Sequence, residues 1–411
     1  MINVGTKPTI KSFFAGFKKF HAKALSFLCF NKIVFLCELC GFACENIKFN
    51  FVVCTVRLII MNKFQNILEK KPIEASAPCR IDLGGTLDIR TFYFPLRHLS
   101  PCTFNIAVNL RTRVRLLPYH DDLVKISSKG FESAEFPISR APFAHPLGLM
   151  FAIAAYFKAR NIHVQIESES PPRGAVGGSS AAAVALIAAF SRLMQKSAEK
   201  KPLTRPQTAN LAHGLEESVA GVPCGIQDQL AAIYGGVNAW IWPVSIEQPP
   251  FRKKMVLRKE MHKDFERHLL LAYCGKPHES RDINGRWVQQ FLSGKFRDYW
   301  SDIVSCTRQF VTAVSDRDYI KAAALMNRET GIRKKMTPDV IDEIGDQLVE
   351  AAVAGNCGAR FTGAGGGGCI WALGEVKHID RLKAVWEEIL STKDEGRLLD
   401  MKIDSRGVIV H

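Results

Sequence analysis

The sequence predicts an α+β protein built in two halves with a cleft between them. Three observations carry that expectation. Stretches such as FNIAVNLRTRVRLLPY (104–119) and HVQIESES (163–170) alternate apolar and polar residues with the period of half-buried strands. Segments at 180–194, 204–219, 283–293, 298–329 and 338–354 read as helices. A polar, proline-punctuated stretch, EQPPFRKK (247–254), marks a boundary between the halves. Strands and helices mixed in this way on both sides of a boundary fit two packed units around separate cores. The expected division is an atypical extension over 1–70, a first domain over 71–250 and a second over 251–411.

The 411 residues suffice for two domains of ordinary size, and 47% hydrophobic with 23% charged residues is a globular composition. A net charge of +15 favours anionic ligands, but the charge is unevenly spread. Residues 1–60 contain eight Lys/Arg against Glu38 and Glu45, five of the twelve cysteines and no Asp. Asn31, Lys32 and Glu38 interrupt their apolar run, which argues against a membrane span. Cys37, Cys40 and Cys44 lack the second CxxC or paired histidines of a zinc knuckle. The piece reads as an extension outside the functional unit, with Met61 an alternative start. No basic stripe with stacked aromatics follows it, so nucleic acid is not an expected partner. The seven remaining cysteines are scattered singly, as free thiols of a reducing compartment, so the expected location is cytoplasmic.

From Glu74 onward, each element has a local reason. APCRIDLGG (77–85) is a strand closing on a glycine pair, and it carries Arg80. PPRGAVGGSSAAAVALIAAF (171–190) follows the strand at 163–170 and opens an alanine-rich helix. Glycines before a helix start let backbone N–H groups wrap an anion, where the helix supplies unpaired donors and partial positive charge. Ser179 and Ser180 there can cap the helix, donate to a phosphate or offer a hydroxyl to a metal. No lysine follows the turn, so this is not a Walker loop. The same residues also fit a capped, close-packed core helix with no ligand.

Two further stretches carry polar chemistry. EESVAGVPCGIQDQLAAIYGG (216–236) sets Glu216 and Glu217 on a helix, then a Gly-Val-Pro-Cys-Gly break, then Asp228 between two glutamines. An Asp after a turn is most often a cap, but in a glycine-lined cleft it can deprotonate a hydroxyl. FTGAGGGGCIWAL (361–373) reads as strand–turn–strand, with a glycine run that lets backbone approach a neighbour closely.

Taken in this order, the four stretches resemble the GHMP kinase superfamily from about Glu74 to the C-terminus. PPRGAVGGSSAA resembles its phosphate-binding motif, FTGAGGGG its C-terminal glycine motif, and APCRIDLGG its N-terminal motif. AGVPCGIQDQ is similar to the galactokinase segment with the catalytic aspartate, and GIQDQLAAIYGGVN to the heptose-phosphate and fucose kinase branch. The resemblance implies a ribosomal protein S5 domain 2-like N-terminal domain that binds ATP and a ferredoxin-like C-terminal domain, with the active site between them. It implies a sugar kinase using ATP and Mg2+, acting on a small-molecule sugar or sugar phosphate at an anomeric hydroxyl. No membrane partner is implied, and a homodimer is allowed.

Carried over by position, the resemblance makes Asp228 the catalytic base and Arg80 its cationic partner. Pro172, Gly174, Gly177, Gly178, Ser179, Ser180 and Ala181 would hold the nucleotide, with Ser180 and Glu216 as magnesium ligands. Thr86, Asp88, Gly365 and Gly366 would face the substrate. The chain departs from the pattern at Val176, where the family usually has glycine, and at GGTLD (84–88), which stands where galactokinases carry Gly-Glu-His-Thr-Asp. Galactose is therefore not the expected substrate. Arg90, Arg97, Arg111 and Arg113 read either as a site for a phosphate already on the sugar or as solvated charges. A catalytically silent sugar and ATP sensor and a mevalonate-pathway kinase or decarboxylase of the same superfamily are the competing readings.

Overall fold

The computed structural model describes residues 64–197, 201–242, 251–275 and 283–411. The N-terminal extension with Cys37, Cys40, Cys44 and Met61, and much of the EQPPFRKK stretch, lie outside the described residues. The chain from Lys63 to His411 is one compact unit. It contains a large sheet and a small one, each backed by helices.

The large sheet is organised by one long strand. β1 (Ile73–Leu83) pairs antiparallel with β2 (Cys102–Pro118) along its whole length. The other edge of β2 is shared: its first half pairs with β6 (Val237–Ile241) and its second half with β5 (Ile162–Ser168). β3 (Leu123–Ser128) runs parallel to β5, and β4 (Ala134–Pro137) pairs with β3. β7 (Arg252–Leu257) extends β6, so this sheet continues past residue 250. β2 alternates only near its end; its first part is buried on both faces, which is why it is richer in apolar residues than a half-buried strand requires.

The β1–β2 ladder has one irregularity that matters for the site. Pro78 faces Arg111, yet the next residue, Cys79, faces Val108. Pro78 has no N–H to give the ladder, so a bulge there costs little. Beyond it, the Arg80 N–H donates to the Val176 carbonyl at 2.9 Å, outside the sheet. The displaced β2 residues are repaired by the far end of the chain. Asn109 N–H donates to Lys402 O and Asp404 N–H to Ala107 O, both at 2.9 Å, and β12 (Ile409–Val410) pairs with β1.

Helix α1 (Gly148–Tyr156) precedes β5, and α2 (Gly178–Lys196) leaves the loop after β5 and packs on β1 and β2. α2 is the predicted alanine helix, two residues longer at each end. Ala181, Ala182, Ala183 and Ala185 are all buried, and their small side chains let its backbone pack close to its neighbours. α3 (Arg205–Ala220) starts at a full capping box formed by Thr204 and Gln207 and ends at Gly221, whose φ is +66°. α4 (Gln227–Tyr234) follows the Gly-Val-Pro-Cys-Gly break.

The small sheet has the order β11–β8–β10–β9, with β8 at Leu269–Tyr273, β9 at Gly358–Phe361, β10 at Cys369–Leu373 and β11 at Arg397–Leu398. β9 and β10 form the expected strand–turn–strand around the glycine run. Helices α5 (Ile283–Leu292), α6 (Arg297–Ser315), α7 (Tyr319–Met336), α8 (Glu343–Ala354) and α9 (Val376–Ser391) complete this part. The single helix expected over 298–329 is two. Arg317 adopts φ +60°, and Asp318 caps the new helix by accepting from Lys321 N–H at 3.0 Å. The SDRD tetrapeptide thus stops one helix and starts the next.

Candidate active site between a glycine loop and two acids

The loop after β5 makes its turns at Arg173, Ala175 and Gly177, with φ of +53°, +57° and +77°. Val176, at the odd position in the motif, needs no such conformation. Its side chain is buried in the core and its carbonyl receives the Arg80 N–H, so it anchors the loop to β1. Gly177 is the residue before α2 and brings no capping side chain, and neither serine caps the helix. The first N–H groups of a 19-residue helix are thereby left for a ligand.

Arg80 and Asp228 meet beside this loop. Arg80 donates through Nε and Nη2 to both Asp228 oxygens at 2.8 Å, and through Nη1 to Ala175 O at 2.7 Å. A Cβ on Gly177 would lie 3.2 Å from Asp228 Oδ2, so at φ +77° any other residue would be strained and would push on the carboxylate. Burial raises the Asp228 pKa above the ordinary carboxylate value, and Arg80 opposes that rise. Burial likewise works against the Arg80 charge, but Asp228 and Asp82 outweigh it and the net shift is upward.

On the other side of α2, Ser180 Oγ donates to Glu216 Oε2 at 2.7 Å, and Gln229 Nε2 donates to the same oxygen at 2.6 Å. Glu216, from α3, lines the cavity, whereas its neighbour Glu217 does not. Its pKa is raised by burial, tempered by the Ser180 hydroxyl. A hydroxyl and a carboxylate side by side next to the glycine loop are hard oxygen donors of the kind magnesium takes. The residues fit that ion, and the uncapped loop fits a triphosphate.

All these groups line one cavity of about 700 Å³. Pro172, Gly174, Gly177, Gly178, Ser179 and Ser180 line it on the side of the glycine loop, and Thr86 and Asp88 also line it. Asp88 is buried and accepts the Gln227 N–H at 2.9 Å, serving as the cap that α4 lacks within its own segment. A Cβ at Gly225 would overlap the Asp88 carboxylate, which explains a glycine in the break. Burial pushes the Asp88 pKa up to about 7, the Gln227 N–H pulls it down, and the charge of Asp228 adds to the rise.

Two expectations are corrected by this geometry, and one open alternative is narrowed. Ala181 does not line the cavity; it is fully buried in the core under α2. Gly365 and Gly366 face away from it. Gly366 N–H donates to Val340 O at 2.7 Å, and a Cβ on Gly365 would collide with that same residue. Gly363 and Ala364 line the cavity instead, with the Gly363 N–H donating to Asp82 Oδ1 at 2.7 Å. The four arginines do not converge. Arg111 is buried, paired with Asp404 and bonded to Ser76 and Gly407; Arg90, Arg97 and Arg113 are exposed.

Comparison with known proteins follows the same lines. Residues 147–236, which run from α1 through the loop and Asp228, match the family model described as GHMP kinases N terminal domain. Over these residues the chain is similar to the N-terminal domain of GHMP kinases. A mevalonate kinase of Thermococcus sibiricus is 24% identical over 334 residues, covering 76% of this chain and 92% of the relative. A D-glycero-alpha-D-manno-heptose 7-phosphate kinase of Campylobacter jejuni is 22% identical over 351 residues, covering 82% and 98%. Lactococcus lactis galactokinase, solved with galactose, superposes with a TM-score of 0.65 at 17% identity, covering 86% of this chain and 99% of that one. The fold is that of the GHMP kinases, and the relatives are kinases of mevalonate and of sugars.

The motif reading of this GHMP kinase fold missed a set of buried charges behind the site. Asp82 lies two residues from Arg80 on the same face of β1 and is fully buried. Arg360 Nη1 reaches Asp82 Oδ2 at 3.3 Å, and its Nε donates to Glu329 Oε2 at 2.8 Å. Arg333 Nε donates to the other Glu329 oxygen at 2.9 Å. The available signals were an acid at i+2 from Arg80 inside an apolar strand, and Glu329 with Arg333 at i,i+4 in a helix otherwise rich in buried residues. Among the described residues no helix is long and apolar enough to cross a membrane.

Proposed function

We propose that the protein transfers the γ-phosphoryl group of ATP to a hydroxyl of a sugar or sugar phosphate, at the anomeric carbon, in the cytoplasm. The observation that carries this reading is Asp228, gripped by both arms of Arg80 and pressed against Gly177 at the start of α2. Gly174, Gly177, Gly178 and Ser179 bind the phosphates, beside Pro172, and Ser180 with Glu216 hold the magnesium ion. Bound Mg-ATP supplies the phosphoryl group and neutralises charge between its phosphates.

Asp228 accepts the proton of the attacking hydroxyl as its oxygen bonds to phosphorus and the bond to ADP breaks. Arg80 keeps Asp228 ionised against burial and aims its free lone pairs. Asp88 and Thr86 face the acceptor. An acid whose pKa is near 7 can accept from or donate to a hydroxyl, which suits a polyol better than a carboxylate substrate crowded by Asp88, Asp228 and Glu216. An intact Arg80, Asp228 and Ser180 set supports a working enzyme over a silent sensor.

The mevalonate kinases among the relatives favour a second reading, with mevalonate as acceptor. ADP release by the purified chain with Mg-ATP, across free sugars, uronic acids, sugar phosphates and mevalonate, separates the two. The expected result is acceleration by a sugar or sugar phosphate, and mevalonate as sole acceptor would overturn it. Asp228→Asn is expected to lose about 10²–10⁴-fold in turnover while still binding a non-hydrolysable ATP analogue. Near-normal turnover would remove Asp228 from the base role.

A further inference from the structure

The turn that leads into Asp88 is held in an expensive shape from the other side of the molecule. Thr86 has φ +73°, a conformation that β-branched residues rarely adopt. Its backbone stays there through a turn, with Ile89 N–H donating to Thr86 O at 2.9 Å. The turn fixes the flanking side chains in opposite environments: Leu87 is buried in the core under the small sheet, and Asp88 lines the cavity.

Arg333, in the last turn of α7, reaches this turn with a fully buried guanidinium. Nη1 donates to Thr86 Oγ1 at 3.0 Å and Nη2 to Gly85 O at 2.7 Å. A third donor, Nε, is taken by Glu329, and the plane lies over the rings of Trp287 and Trp300 at 4.5 and 4.7 Å. Glu329 is shared with Arg360, which holds Asp82, and Asp82 in turn receives the Gly363 N–H. A buried guanidinium is costly unless paired and fully bonded, and apolar packing of the same volume is often as stable. The hydrophobic pocket of two tryptophans could have taken such a residue. What Arg333 does that an apolar side chain cannot is grip two successive residues of a strained turn.

We infer that Arg333 is a positioning residue for the acceptor end of the cavity, holding the Gly85–Thr86 turn in the left-handed shape that presents Asp88. Glu329 neutralises and orients it. The consequence for the acceptor rests on the kinase reading above, whereas the control of the turn does not.

Arg333→Lys keeps a cation for Glu329 but one ammonium cannot span Thr86 and Gly85 as the planar fork does, so it separates positioning from folding. Arg333→Met is the stronger variant. Hydrogen exchange of peptides covering 84–93 is the direct readout, with peptides covering 171–196 as the internal reference. The expected result for Arg333→Lys is about 10-fold or faster exchange in 84–93 and none in 171–196. For whichever acceptor the wild type turns over, KM should rise about 10- to 100-fold, the equivalent of one or two charge-assisted hydrogen bonds, with the KM for Mg-ATP unchanged. In a Thr86→Gly background, where the left-handed shape costs little, the effect of Arg333→Lys on both readouts should shrink. Equal acceleration of exchange in both segments, or an undiminished effect in the Thr86→Gly background, would overturn the inference and leave Arg333 a packing residue. If no sugar or sugar phosphate is turned over, the acceptor reading fails on its own while the exchange data still decide the role of Arg333.

Discussion

Replacing Asp88 by asparagine should change how the stability of the protein responds to pH. Asp88 is held at about 7 in the folded chain against an ordinary value of 3.8, with burial as the main cause. The folded state therefore keeps the Asp88 proton over a window in which the unfolded chain has lost it. Stability tied to that proton is fully present below the unfolded value and is lost as pH rises through about 7, because the native state binds more protons than the unfolded one. The full difference corresponds to roughly 4 kcal/mol, at 1.36 kcal/mol per unit. Asparagine retains an oxygen for the Gln227 N–H and has no proton to lose. The advantage of Asp88→Asn over the wild type should thus grow by about 2 kcal/mol between about pH 5.5 and 8. Urea unfolding of both proteins across that range measures it, and shifts of Asp228 and Glu216 largely cancel in the difference. Parallel stability curves would show that Asp88 ionises in the folded state as easily as in water, and would remove the argument that its burial matters at the acceptor end.

Other perturbations test separate parts of the site. Gly177→Ala adds a Cβ 3.2 Å from Asp228 Oδ2 at φ +77°, and should cut turnover at least about 10-fold with a loss of about 1 kcal/mol in stability; normal turnover would mean the carboxylate does not work from that position. Ser180→Ala should raise the magnesium concentration needed for half-maximal activity, and an unchanged magnesium titration would free Ser180 from that role. Arg111→Met should destabilise the fold by about 3–5 kcal/mol by removing the close buried partner of Asp404, which keeps Arg406 Nη2 at 3.9 Å, with little change in the KM of any acceptor; a rise confined to phosphorylated acceptors would return Arg111 to phosphate binding.

The site was legible where chemistry depends on backbone shape. Glycines at 174, 177 and 178 before a small-residue helix, and the DQ pair after a Gly-Val-Pro-Cys-Gly break, are constrained by close approach, so their spacing survives in one dimension. The structure brings those segments to one cavity with Arg80. Less legible was the support behind them. Glu329 and Arg333 at i,i+4 look like any solvated helix pair until the tertiary fold buries both. Arg111 sits among arginines that remain exposed, and nothing local marks it as the partner of Asp404, far along the chain. Gly365 and Gly366 belong to the same run as Gly363, and only the turn on Val340 decides which glycines face the cavity. The break at 315–318 was misread because apolar periodicity continues across it, while the Asp cap that resets the helix is a single side chain.

Around the bulge at Pro78, residues 402–410 complete the sheet at Ala107 and Asn109 of β2 and at Ala75 and Ser76 of β1. Until that segment arrives, the Ala107 carbonyl and the Asn109 N–H lack their backbone partners, Arg111 lacks Asp404, and the edge of β1 at Ala75 and Ser76 is bare. These are contacts of very large sequence separation, the kind whose closure entropy is met late. A chain emerging residue by residue can form its glycine loop and α2 long before the strand bearing Arg80 is closed on both sides. Closure of that sheet edge is therefore expected late in folding, and a fusion or truncation that disturbs residues 402–410 should reach the Arg80–Asp228 pair through β2.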